Sequence, residues 1–180
     1  MEKYLLIGAL CIAAVGAARD VRGGRIPNWL TYGGLVSALV VRSLVAEWPG
    51  LKGGLIGIVV GGGIFYLLFL VGGMGGGDVK LMAAVGAWAG ADQTVVVLIA
   101  TAIAGGILAV GYMIFHRRVR RTLLNTLELI RHHLSSGLQP HPALNIREPG
   151  TMRVPYGVAI AIGALYCLGQ CVLVGVTHGP

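Results

Sequence analysis

Only seven of the 180 residues are acidic, and two of those stand where a carboxylate is unexpected. Asp20 follows the apolar run Tyr4 to Ala18, and Asp78 precedes the run Val79 to Ala91. An ionisable group at membrane depth is costly and marks a functional position by default. Glu2 is terminal, and Glu47, Asp92, Glu128 and Glu148 read as loop charges. When two carboxylates meet they cannot both ionise easily, so one keeps its proton. The neutral partner is then an acid, and the ionised one is a base that activates water. Such a pair hydrolyses a peptide bond without a metal or a covalent nucleophile. No other residues in the sequence form a hydrolytic set. There is no Ser/His/Asp arrangement, no H-E-x-x-H, and no cysteine with a suitably placed histidine.

The segments around the two acids carry their own signals. Asp20 is followed by Arg22, Gly23-Gly24, Arg25 and Ile26-Pro27-Asn28. Pro27 fixes a backbone angle and pushes Ile26 out of the helical region. Asn28 is expected to cap the next helix. The plain alternative is an ordinary polar turn between two helices. Asp78 follows Gly75-Gly76-Gly77 and precedes Lys80. Three glycines before an acid let another backbone approach without a Cβ in the way. A phosphate cradle is excluded, because Gly73-Met74-Gly75-Gly76-Gly77 does not complete G-x-G-x-x-G and no G-K-[ST] follows.

The elements that must position these residues are membrane helices. Hydrophobic residues make up 56% of the chain and charged residues 12%, against about 25% charged in soluble domains. Mean hydropathy is +0.79. These values exclude a disordered chain and argue against a soluble globule. The 30 glycines lie within apolar runs, as small residues do between packed membrane helices. Six runs separate: Tyr4–Ala18, Trp29–Ala46, Leu51–Gly73, Val79–Ala91, Thr94–Phe115 and Val154–Val176. The expected architecture is all-α, one polytopic membrane domain over residues 1–180 with about six transmembrane helices. The fourth run is short for a span. The first run could be a signal peptide, but Arg19, Arg22 and Arg25 directly after it favour a retained helix.

Of the 14 basic residues, only Lys3, Arg42 and Lys52 fall outside the loops after the first, third and fifth runs. The positive-inside rule puts those loops in the cytoplasm and both termini outside. Residues 116–153 form the one long loop, basic and cytoplasmic, with an amphipathic stretch from Leu123 to Leu134 that suits the membrane surface. His132-His133 point to different sides of a helix, so no metal site is expected. Cys11, Cys167 and Cys171 read as small hydrophobes. The net charge of +7 is explained by cytosolic loops rather than by nucleic-acid binding.

The spacing Asp20-x5-Ile26-Pro27-Asn28, followed by Gly75-Gly76-Gly77-Asp78-Val79-Lys80 as a G-x-G-D motif, resembles the prepilin peptidases, intramembrane aspartic proteases of type IV pilus and related systems. Val154-Pro155-Tyr156-Gly157 is similar to the opening of that family's terminal helix. The resemblance implies that Asp20 and Asp78 are catalytic. It implies that Gly75, Gly76, Gly77, Lys80, Arg25, Pro27, Asn28, Pro155, Tyr156 and Gly157 shape the site. The implied substrate is a prepilin-like precursor with a short basic cytosolic leader before a hydrophobic helix, cleaved at the cytoplasmic face of a prokaryotic inner membrane. Membrane lipids are the other expected partners, through the arginine-rich loops, and no cofactor or metal is expected. Larger family members carry two C-x-x-C pairs associated with N-methylation. The chain is similar instead to the short peptidases of Flp/Tad and archaeal preflagellin systems, so no methyl transfer is expected. Two other classes stand beside this one: a non-catalytic assembly protein of a pilus or secretion apparatus, and a small ion-coupled transporter. Cleavage that depends on Asp20 and Asp78 separates both from a protease.

Overall fold

The computed structural model describes residues 2–23, 25–71, 73–115 and 155–177, and every element among them is a helix. These are α1 (Glu2–Gly23), α2 (Asn28–Leu70), α3 (Gly76–Ala89), α4 (Ala91–Phe115) and α5 (Tyr156–Thr177). The expected cytoplasmic loop 116–153, with its surface helix, lies outside the described residues. Among the described residues, four helices are long and apolar enough to cross a membrane: α1, α2, α4 and residues 156–173 of α5. The chain is a multi-pass membrane protein.

α1 runs past its apolar stretch, through Arg19 and Asp20, to Gly23. Glu2 in its first turn and Arg22 in its last complement the helix dipole. α2 has 43 residues, about twice what one crossing needs. It breaks at Ala46 and Glu47, where Glu47 takes a φ of 48° and Pro49 follows. Proline has no N–H to give the helix, and its ring clashes with the preceding turn. The second and third apolar runs are therefore two arms of one element, residues 28–46 and 50–70, about 28 Å and about 31 Å long at the helical rise. α3, at 14 residues, reaches only about 21 Å.

α3 lies between the two arms. Lys80 meets Asn28 and Trp88 meets Gly34, so α3 runs parallel to the first arm. Met82 faces Gly61 and Gly86 faces Gly57, so it runs antiparallel to the second. A Cβ on Gly57 would collide with the Gly86 carbonyl, and one on Gly86 with the Gly57 carbonyl. Only glycine at both positions lets these backbones touch. On the other side, Gly8 and Gly16 of α1 take the Trp88 and Leu81 side chains. Gly163 of α5 lies against Thr101 and Val97 of α4. The shared core contains Leu6, Leu81, Met82, Val85, Val97 and Ile160, all essentially inaccessible. The outer faces carry exposed Trp29, Val36, Leu44, Val59, Ile103 and Leu173, which suits contact with lipid rather than water.

Candidate active site

Asp20 stands in the last turn of α1, half-buried. Its Oδ2 accepts the backbone N–H of Gly157 at 3.0 Å. Gly157 is the second residue of α5, and its N–H is one of the amides that a helix start leaves without an intrahelical partner. The positive end of the α5 dipole therefore faces the Asp20 carboxylate. A Cβ on Gly157 would lie 3.1 Å from the Asp20 Cβ and 3.2 Å from the Ala17 Cα, so the close approach of α1 and α5 depends on glycine. Pro155 opens α5 from outside, its carbonyl accepting the Val158 N–H at 3.1 Å.

Asp78 is in the first turn of α3 and is buried, 9% exposed. Its Oδ2 accepts the Gly75 N–H at 3.3 Å, while its own N–H donates to the Gly75 carbonyl at 3.1 Å. This reciprocal closure pins the carboxylate over the helix start. Tyr156, the residue before Gly157, is close enough to Asp78 for the two to interact electrostatically. The start of α5 thus engages Asp20 through the Gly157 N–H, with Tyr156 as the residue before it.

The two sequence motifs also meet each other. Ile26 packs against Gly77, where a Cβ would come within 3.4 Å of it. Lys80 Nζ donates to Asn28 Oδ1 at 2.9 Å and lies 5.2 Å from the centre of the Tyr32 ring. Gly76 faces the Phe69 ring. Arg25 is exposed in the link between α1 and α2. Asn28 does not cap α2 as its type suggests. The N-cap is Pro27, with no side-chain cap, and its carbonyl accepts the Leu30 N–H at 3.1 Å. Asn28 sits one residue inside the helix, so its side chain points along the flank and finds the Lys80 ammonium instead.

Sequence reasoning missed Arg42. Its Nε donates to the Trp88 carbonyl at 3.3 Å, Nη2 to Ala89 at 2.9 Å and Nη1 to Gly50 at 3.4 Å. The guanidinium satisfies carbonyls at the C-terminus of α3 and joins the two arms of α2 beside their break. A lone arginine inside an apolar run was the available signal, by the same cost that singles out the aspartates. Cys167 is buried, and its thiol donates to Gln93 Oε1 at 3.1 Å, so it packs as a small core residue with a polar tie.

The model of the type IV leader peptidase family matches residues 5–110, more than half of the chain and the stretch that holds both aspartates. The chain belongs to the type IV leader peptidase family. No curated protein and no solved structure matches it. Membership implies that this membrane protein is a protease of the leader-peptidase kind. The match ends within α4, so Gly157, whose N–H bonds Asp20, lies beyond the matched residues.

Proposed function

We propose that this leader peptidase is an aspartic endopeptidase that removes the short basic leader of prepilin-like precursors, using Asp20 and Asp78 as one catalytic pair. The supporting observation is that the segments carrying the two acids meet, Lys80 bonding Asn28 and Ile26 packing on Gly77, while the start of α5 bonds Asp20. In the reaction, the ionised carboxylate takes a proton from water as the water oxygen attacks the scissile carbonyl. The protonated carboxyl gives its proton to the carbonyl oxygen. The tetrahedral intermediate then collapses, the C–N bond breaks, and a proton passes to the leaving amine. Gly75, Gly76 and Gly77 shape the site by letting the Asp78 carboxylate, the Phe69 ring and Ile26 close in beside the helix start. Lys80 and Asn28 hold the two aspartate-bearing segments in register, with Pro27 and Pro155 setting the chain direction at their helix starts.

The distribution of basic residues supports an orientation with this end of the helices at the cytoplasmic face of a prokaryotic inner membrane, where a cytosolic leader is accessible. Methyl transfer is not part of the proposed activity: none of the three cysteines forms a C-x-x-C pair. The test is co-expression with a panel of prepilin-like precursors, read by product size and N-terminal sequence. Wild type should process at least one of them, and Asp20→Asn and Asp78→Asn, inserted normally in the membrane, should process none. Robust cleavage by either variant would overturn the mechanism.

A further inference from the structure

We infer that the cleft between the second arm of α2 and α4 seats the apolar helix that follows the leader in the substrate, an inference that rests on the protease reading above. Near Gly57 and Gly61 the arm lies directly against Thr94 of α4. Further along, the two helices part around a cavity of about 410 Å³. Ile64, Phe65 and Leu68 form one wall; the other, from α4, carries Leu98 and Ile99 at one end and the small residues Ala102, Gly105, Gly106 and Ala109 beyond them. Met74 and Tyr156 stand at its head. Met74 directly precedes Gly75, whose N–H holds the Asp78 carboxylate, and Tyr156 directly precedes Gly157, whose N–H holds the Asp20 carboxylate. The cleft is therefore continuous with the reacting end of the molecule.

Its α4 wall is built for a helix. Positions 102, 106 and 109 share one helical face, all are alanine or glycine, and a Cβ at Gly106 would meet open space. The adjoining face of α4 carries Ile103 and Ile107, both exposed. A small-residue face next to a bulky one admits the backbone of another helix closely. The volume takes a few apolar side chains, one face of such a helix, and leaves the rest in lipid. A fatty-acyl chain would also fit the apolar walls, but it needs no passage to Asp78. A substrate does, because the residues after its cut bond must leave the acids through a surface that accepts apolar chain.

The experiment compares two forms of the precursor that wild type processes: the full precursor, and a peptide ending shortly after the scissile bond. Ala102→Phe and Gly106→Leu fill the cleft. Each should raise KM for the full precursor about tenfold or more with kcat little changed, and leave cleavage of the short peptide at the wild-type level. Ile103→Phe, on the neighbouring face, should alter neither. In the uncleaving Asp78→Asn protein, a photo-crosslinker at position 109 should capture the precursor's apolar segment, and one at position 103 should not. If wild type does not cut the short peptide, this capture decides the matter. Unchanged KM in the cleft variants would assign the cavity to lipid and overturn the inference, as would equal losses on both substrate forms. Cleavage by the aspartate variants, or no precursor processed by wild type, would instead bring down the protease reading and this inference with it.

Discussion

The two ends of α3 are held by opposite means. At its start, a buried acid sits over the helix N-terminus, three glycines precede it, and the polar ties are short-range closures and a lysine clasp. At its end, a cation from α2 satisfies the carbonyls of Trp88 and Ala89, and Gly90, at φ 82°, turns the chain into α4. Each charge complements the dipole end that it meets. The difference lies in what is left over. The arginine commits its donors to backbone carbonyls and keeps little for chemistry. The acid end meets the segment that follows Asp20, through Ile26 on Gly77 and Asn28 on Lys80. A short helix suspended between these anchors keeps Asp78 at a fixed height in a membrane where backbone cannot otherwise be left unpaired.

Substitutions at the two ends should therefore fail in different ways. The largest effect belongs to the acids: Asp20→Asn or Asp78→Asn should lower cleavage at least about a thousandfold, within the range of acid–base contributions. The double variant should be no worse than either single one, because the pair acts as a unit. Gly157→Ala comes next. Its Cβ presses on Asp20 and Ala17, so α5 must shift, and cleavage should fall about tenfold in kcat, as small misplacements do. At the far end, Arg42→Met should act on stability instead. Losing charge-assisted bonds to carbonyls, partly offset by no longer burying a charge, costs about 1–3 kcal/mol. It should be read as easier unfolding in detergent with near-normal kcat in the folded fraction. Arg42→Lys should recover part of the loss. The smallest effect belongs to the clasp. Asn28→Ala and Lys80→Met should each slow cleavage about two- to fivefold, one net hydrogen bond's worth, and together no more than one alone. An additive double variant would mean that Lys80 acts outside its bond to Asn28.

Much of this was legible from residue type and spacing. The end of the second apolar run at Ala46, with Glu47, Trp48, Pro49 and Gly50 between it and the third, coincides with the break in α2 at Ala46 and Glu47. Asp20 and Asp78 stand out because charge is costly in apolar chain, and their two motifs do meet. Other features were not legible, for physical reasons. A hydrogen-bonding side chain one residue inside a helix looks like a cap until the neighbouring lysine is in place, which is why Asn28 misleads. The backbone N–H of Gly157 leaves no mark in composition or charge, although it is the group that engages Asp20. The pairing of Gly57 with Gly86 is equally silent among 30 glycines. Arg42 could have been found, but a count of charges by side assigns it to a loop balance instead of to the carbonyls it serves.

The bond between Asp20 and Gly157 joins residues 137 positions apart. Synthesis runs at roughly 5–20 residues per second, so about seven to twenty-seven seconds separate the two on the ribosome. During that interval α1, α2, α3 and α4 can enter the bilayer with Asp20 still waiting for its amide partner. Engagement of Asp20 by α5 is thus a late event in biogenesis, timed by chain length. A newborn molecule passes its neighbours in the membrane before its two acids are fully set.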